Sequence, residues 1–187
     1  MKSIFCLLVL LGGLTACKKD AASGLPKATQ EGKGTFGCLI NNRPFIPSPG
    51  GIFSSRPVSI WYWGDNLFLM KVRVCRMTEE GNHSSNDVSF VHLYVSKLLG
   101  PGRYPLASTT AVPPYYQNGE NYGMYEFRNP SKEYHTNRGP MGWVEITKAG
   151  NRQNDIISGT FEFKAFEPGS GEEVNITKGR FDLRNGQ

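Results

Sequence analysis

Between residues 156 and 166 apolar and polar side chains alternate without a break. Ile157, Gly159, Phe161, Phe163 and Ala165 take one parity, and Ser158, Thr160, Glu162 and Lys164 take the other. A period of two marks a strand with one face on a core and the other in water, whereas helical apolar positions return every ~3.6 residues. The same parity recurs before it, where Phe68, Met70, Val72 and Val74 oppose Lys71, Arg73 and Cys75. No window after residue 17 has an amphipathic helical period, so the chain is expected to be all-β.

Other strand limbs are read the same way. Phe36, Cys38 and Ile40 share a face, Asn41-Asn42 supplies a turn, Pro44 to Pro47 begins a return limb, and Ser48-Pro49-Gly50-Gly51 breaks it. Segments 58–63 and 67–76 flank Gly64-Asp65-Asn66, a three-residue hairpin signal. Glu79 to Asp87 reads as a polar loop, and Val88 to Val95 is apolar on both faces, as a central strand should be. Gly100 to Pro114 reads as irregular, and strands are expected at 123–128, 143–148 and 174–184. A parity change between Ile176 and Phe181 predicts a bulge near Thr177-Lys178. With 22 Gly, 12 Pro and 12% aromatics, the chain is turn-rich yet able to bury a core. That composition excludes a coiled coil, a multi-pass membrane protein and a wholly disordered chain. Eight to nine strands predict a single antiparallel β-sandwich or small barrel over residues 34–187.

The amino end follows a different logic. Lys2 precedes the apolar run Ile4 to Leu11, whose length of about 12 Å as a helix is far short of the ~30 Å hydrocarbon core. It reads as a secretory signal rather than a membrane span. The next residues, Leu14-Thr15-Ala16-Cys17, resemble the lipobox of bacterial lipoproteins. That resemblance implies removal of residues 1–16 and fatty acylation of Cys17, with the membrane as a partner through this anchor and the cell envelope, at the outer membrane, as the location. Residues 17–33 hold no aromatic residue and one large aliphatic, Leu25, and read as a flexible tether with an r.m.s. span of roughly 20–24 Å. Lys18-Lys19-Asp20 resembles a shortened sorting run of surface lipoproteins of the Bacteroidota, with Ala21 in place of the second acid.

Taken in order, the lipobox, the tether, Thr35 to Phe45, Gly102 to Leu106, Ile157 to Phe163 and Thr177 to Asp182 resemble a family of uncharacterised Bacteroidota lipoproteins. The resemblance implies an exported all-β domain and carries no catalytic residue.

Candidate chemistry is sparse. Once Cys6 leaves with the signal and Cys17 is acylated, Cys38 and Cys75 remain. They are disulfide candidates in an oxidising compartment, where a bond would stabilise by roughly 3–4 kcal/mol, or else two separate buried thiols. His83, His92 and His135 are too far apart in sequence to form a ligand motif. They read as satisfied or solvated side chains, with His135 in a loop, and neither metal nor cofactor is expected. No GxSxG, HExxH or phosphate-cradling Gly loop is present. Glu79-Glu80 and Glu172-Glu173 are adjacent pairs whose side chains diverge. Glu126, Glu145 and Glu162 sit singly near Arg128, Lys148 and Lys164 and are expected to pair across strands on the wet face.

Aromatic residues are the most suggestive feature. Trp61 and Trp63 share a strand face, and Tyr115, Tyr116 and Tyr122 crowd the loop-rich middle. Exposed, these rings would stack on a ligand; buried, they would fill the core. The net charge of +5 invites a nucleic-acid reading, but the basic residues are interleaved with acids and export removes that partner. The expected role is a binding module for a glycan, small ligand or envelope protein. The alternatives are an envelope carbohydrate hydrolase or a structural envelope component.

Overall fold

The computed structural model describes residues 24–47, 58–63, 67–77, 83–107, 120–128, 131–136, 139–150 and 152–186. Cys17, Tyr115 and Tyr116 lie outside this set. Alternating segments become eleven strands: β1 Thr35–Ile40, β2 Arg43–Phe45, β3 Val58–Trp63, β4 Leu67–Met77, β5 His83–Val95 and β6 Gly102–Leu106. These continue with β7 Tyr122–Arg128, β8 Ser131–His135, β9 Gly142–Ala149, β10 Ile156–Phe166 and β11 Glu173–Arg184.

All pairings are antiparallel, and the strands follow one open path, β2-β1-β11-β10-β8-β7-β5-β4-β3, with β9 and β6 branching from β10. Among the described residues, the one register pair between β10 and β8 is Phe166 with His135. That pairing, with the Ala107 N to Asn121 O hydrogen bond between the ends of β6 and β7, joins two arms, β2-β1-β11-β10-β9-β6 and β8-β7-β5-β4-β3, which share one core. Phe36, Phe161, Phe181 and Val144 from the first arm and Val91, Leu93, Tyr125 and Ile60 from the second belong to one buried cluster. Phe45 meets Tyr125 edge-on across it, ring centroids 6.4 Å apart. The architecture is therefore a folded antiparallel sheet packed on itself in the manner of a sandwich.

Several sequence expectations are met in detail. Asn41 and Asn42 take φ of 47° and 65° between the Ile40–Arg43 partners, the two left-handed residues of a tight hairpin turn, which Asn tolerates. Phe161 pairs with Gly179 and Phe163 with Ile176, so Thr177-Lys178 is the bulge, with Lys178 at φ 52°. Ser89 to Val95 are buried on both faces.

Other expectations need correction. Strand β5 begins at His83, which pairs with Met77, so part of the supposed polar loop is strand. Strand β6 lies inside the stretch read as irregular. Its Pro105 donates no backbone hydrogen bond, which is tolerable because β6 pairs with β9 alone. His135 closes strand β8 instead of lying in a loop.

The segment before β1 is also not a free tether from Gly24 onward. Residues 24–33 lie as a strap across the outer face of β1, β11 and β10. Leu25 is buried there, and a Cβ on Gly37 would come within 2.7 Å of the Pro26 ring, so only glycine lets the strap approach so closely. The Asp182 carboxylate fastens it. Thr29 Oγ1 donates at 2.5 Å, Glu31 N at 3.0 Å, Gly32 N at 2.7 Å and Lys33 N at 3.2 Å, while Ser158 Oγ donates from below at 2.7 Å. Successive amides converging on an anion form a nest, and Gly32 supplies its left-handed residue at φ 70°. Burial by itself raises the Asp182 carboxyl, but the hydroxyls of Thr29 and Ser158 and the amides of Gly32 and Glu31 outweigh it. They hold the group well below the usual carboxylate range. Arg180, Lys148 and Arg184 complete the clasp by donating to the carbonyls of Pro26, Gln30 and Glu31.

Candidate functional site

The outer face of the second arm departs from the usual wet face of an antiparallel sheet. Phe90, His92 and Tyr94 alternate with the core residues Val91, Leu93 and Val95 along β5, yet they are buried too. Register sets their neighbours. Phe90 pairs with Glu126 and Glu126 with Glu133; His92 pairs with Met124 and Met124 with His135; Tyr94 pairs with Tyr122. Because directly paired residues share a face, three strands bring two imidazoles and two carboxylates together on a floor of aromatic rings.

His92 Nε2 lies 3.5 Å from Glu126 Oε2, and His135 Nε2 lies 3.4 Å from Glu133 Oε2. Two carboxylates placed directly opposite each other would repel, and each is flanked by an imidazole able to offset that repulsion. The pairs differ in access: the Glu126 side chain is 15% exposed and that of Glu133 45%. Burial lowers the His135 pKa, the nearby His92 acts in the same direction, and Glu133 opposes both. A neutral imidazole of this kind keeps one donor and one acceptor. Thr136 fixes the end of β8, since Gly123 N donates to its hydroxyl at 3.0 Å and its own amide donates to Gly123 O at 3.1 Å. Tyr94 and Tyr122 stack beside the quartet with ring centroids 5.0 Å apart, and burial raises the Tyr94 phenol. Phe90 borders His92 with centroids 5.9 Å apart.

The residues singled out from sequence fare unevenly. Tyr122 is 5% exposed and packed on Tyr94, so its ring is structural and offers no free stacking surface. Trp61 and Trp63 stand in β3, and register carries Trp61 through Leu69 to Tyr94 and on to Tyr122, the aromatic row of the candidate face. Cys38 is a free, buried cysteine whose thiol burial pushes up. It lies in the core, while Cys75 pairs with Val88 at the parity of Lys71 and Arg73. Cross-strand ion pairing on the wet face holds for Glu145 alone of the three strand glutamates, and each has a partner other than the expected one. Glu126 meets His92, Glu145 meets Arg103 at 3.5 Å, and Glu162 accepts from Trp143 Nε1 at 3.1 Å. Arg103 lies 4.1 Å over the Trp143 ring, a cation–π contact that covers an indole the sequence reading passed over. Among the described residues no three His, Cys, Asp or Glu side chains are placed to hold a metal ion.

The quartet itself escaped the sequence because its members are scattered and only register joins them. Period-two parity could have put His92 with Tyr94 and Glu126 with Met124, but not β5 beside β7.

Residues 81–182 match the family described as Domain of unknown function (DUF6252). The chain belongs to this family. The DUF6252 match starts just before β5 and ends on Asp182, so it holds the whole quartet and the clasp carboxylate, while β1 to β4 precede it. No curated protein and no solved structure matches the chain.

Proposed function

We propose that this DUF6252 protein is a lipid-anchored envelope protein whose domain binds a ligand without transforming it, a glycan being the class that fits best. The observation that carries the reading is the outer face of β3, β4, β5, β7 and β8. There one register row runs from Trp61 through Leu69 and Tyr94 to Tyr122, beside rows holding His92, Glu126, Glu133 and His135. Tyr94 and Tyr122 are buried against each other, so the Trp61 position is the one in this row that suits the apolar face of a sugar ring, and the exposed Glu133 carboxylate beside His135 suits its hydroxyls. The lipobox at Leu14 to Cys17 and the likeness to Bacteroidota lipoproteins support the envelope location, with surface display through Lys18-Lys19-Asp20.

A glycan array and an envelope pull-down with the mature chain test the binding. Trp61→Ala and Glu133→Gln should each weaken capture about tenfold or more, as central contacts do. Capture indifferent to both changes would refute this face. Clickable fatty-acid labelling should mark wild type and miss Cys17→Ala, and equal labelling would refute the anchor. A second reading, a carbohydrate hydrolase, is favoured by Glu126 standing directly opposite Glu133. It requires product release from a bound glycan that Glu133→Gln abolishes.

A further inference from the structure

The strap changes where the chain's charge lies. Lys27, Lys33, Lys148 and Lys178 are exposed, and Arg180 and Arg184 are half-buried beneath the strap. These six cations share one surface, because Lys148, Arg180 and Arg184 each grip a strap carbonyl and Arg180 Nε donates to Lys178 O at 3.2 Å. A carbonyl accepts a hydrogen bond without cancelling the charge of its donor. The acids on the same surface are Glu31, paired with Lys33 at 3.1 Å, and the buried Asp182. The patch nets +4 where the whole chain nets +5. Towards β6 the same face turns mixed, with Arg103, Glu145 and Glu162.

Its position relative to the anchor is constrained by chain length. Seven residue steps separate Cys17 from Gly24, where the strap begins, and they reach at most about 25 Å even when fully extended. A patch held that close to a lipid surface by its own chain meets the headgroups at high effective concentration. We propose that the strap face is a membrane-facing surface that binds anionic lipid headgroups, an inference resting on the lipid anchor proposed above. The acyl group supplies residence, and the patch orients the domain. Lys18 and Lys19 extend the same sign of charge towards the anchor.

The test uses residues 17–187 carrying Cys17→Ser, so that no acyl group contributes, in flotation with phosphatidylcholine vesicles with or without phosphatidylglycerol as the anionic lipid. The chain should float with the anionic vesicles, sink with the neutral ones, and release as salt rises from about 0.05 to 0.5 M. Removing two patch charges, Lys27→Gln with Lys33→Gln, should lower partitioning about 25-fold, at about fivefold per charge. Removing two from elsewhere, Arg43→Gln with Lys97→Gln, should lower it less than about threefold. Equal losses in the two double variants, or equal flotation on neutral and anionic vesicles, would overturn the proposal. All four positions are exposed, and an unchanged melting temperature shows that each variant folds. Because no acyl group is present, failure here leaves the labelling test of the anchor independent, and failure of that labelling leaves this result standing as lipid affinity alone.

Discussion

Replacing Asp182 by Asn is the sharpest perturbation the fold offers, because it keeps the volume and removes the charge. One carboxylate oxygen takes Gly32 N and Ser158 Oγ, and the other takes Thr29 Oγ1, Glu31 N and Lys33 N. An amide with its oxygen on the first set points its NH2 at the second. The Thr29 hydroxyl can rotate and accept, but the amides of Glu31 and Lys33 lose their acceptor. Each unsatisfied donor costs about 1–3 kcal/mol, so the clasp loses about 2–6 kcal/mol. Release of the strap caps the loss, and we expect about 3 kcal/mol. In a domain of this size that lowers the melting temperature by about 6–12 °C. Hydrogen exchange at Gly32 and Lys33 should quicken about a hundredfold. Acid supplies a second reading. The folded carboxyl titrates below its unfolded value of ~3.9, so the charged form is the one folding favours. That stability is complete above about pH 5 and is lost as pH falls from there towards the folded pKa. The Asn variant should lack this part of the acid slope. Unchanged exchange at the strap amides, with a midpoint within ~0.5 kcal/mol of wild type, would refute the clasp.

Cys38 should resist thiol reagents at pH 8 in the folded chain and react once urea unfolds it, followed by peptide mass mapping, because burial raises its pKa and hides the sulfur. His135 should titrate by NMR below the usual imidazole value of ~6.5, since burial favours the neutral ring. Its contribution is therefore present above that value and lost as pH falls through the lower folded one. A midpoint at or above 6.5, the ordinary value to about a unit, would contradict the burial. Gly142→Ala would place a Cβ 2.2 Å from Glu162 O and 2.4 Å from Phe163 Cα, backbone that cannot swing aside. Urea unfolding should show a loss of about 2–3 kcal/mol or more. Gly24→Ala, with no atom within 4 Å of the added carbon, should stay within ~0.5 kcal/mol of wild type.

What the chain declares in advance is local. Parity along 156–166 is enough to place Phe161 and Phe163 in the core and Glu162 outside it, because a strand has only two faces. The bulge at Thr177-Lys178 is legible for the same reason: these two residues face Glu162 alone, and one extra residue must reverse parity. Strand β6 is not legible, since Pro105 argues against a strand unless the strand is known to be an edge. The strap is not legible either. Lys27 to Lys33 has the composition of a linker, and what docks it is backbone amides meeting a carboxylate some 150 residues away, a separation of 149 to 151 for the three amides. Nothing in local sequence encodes such a contact. The imidazole–carboxylate quartet fails the same test, because it depends on the order of β5, β7 and β8.

Both surfaces argued above are outer faces, but of different arms. The strap and its cations cover β1, β11 and β10, whereas the quartet and aromatic row lie on β5, β7 and β8. Two arms packed on one core turn their outer faces in opposite directions. A domain lying with its strap against lipid would therefore hold the quartet face, where Glu133 is the exposed member, away from that lipid. Had strap and quartet shared a face, anchoring would occlude binding. Their separation predicts that Lys27→Gln with Lys33→Gln leaves ligand capture in solution unchanged while weakening flotation, and that Glu133→Gln does the reverse. Loss of both activities in either variant would mean that one surface serves both, and the division of labour between the two arms would be wrong.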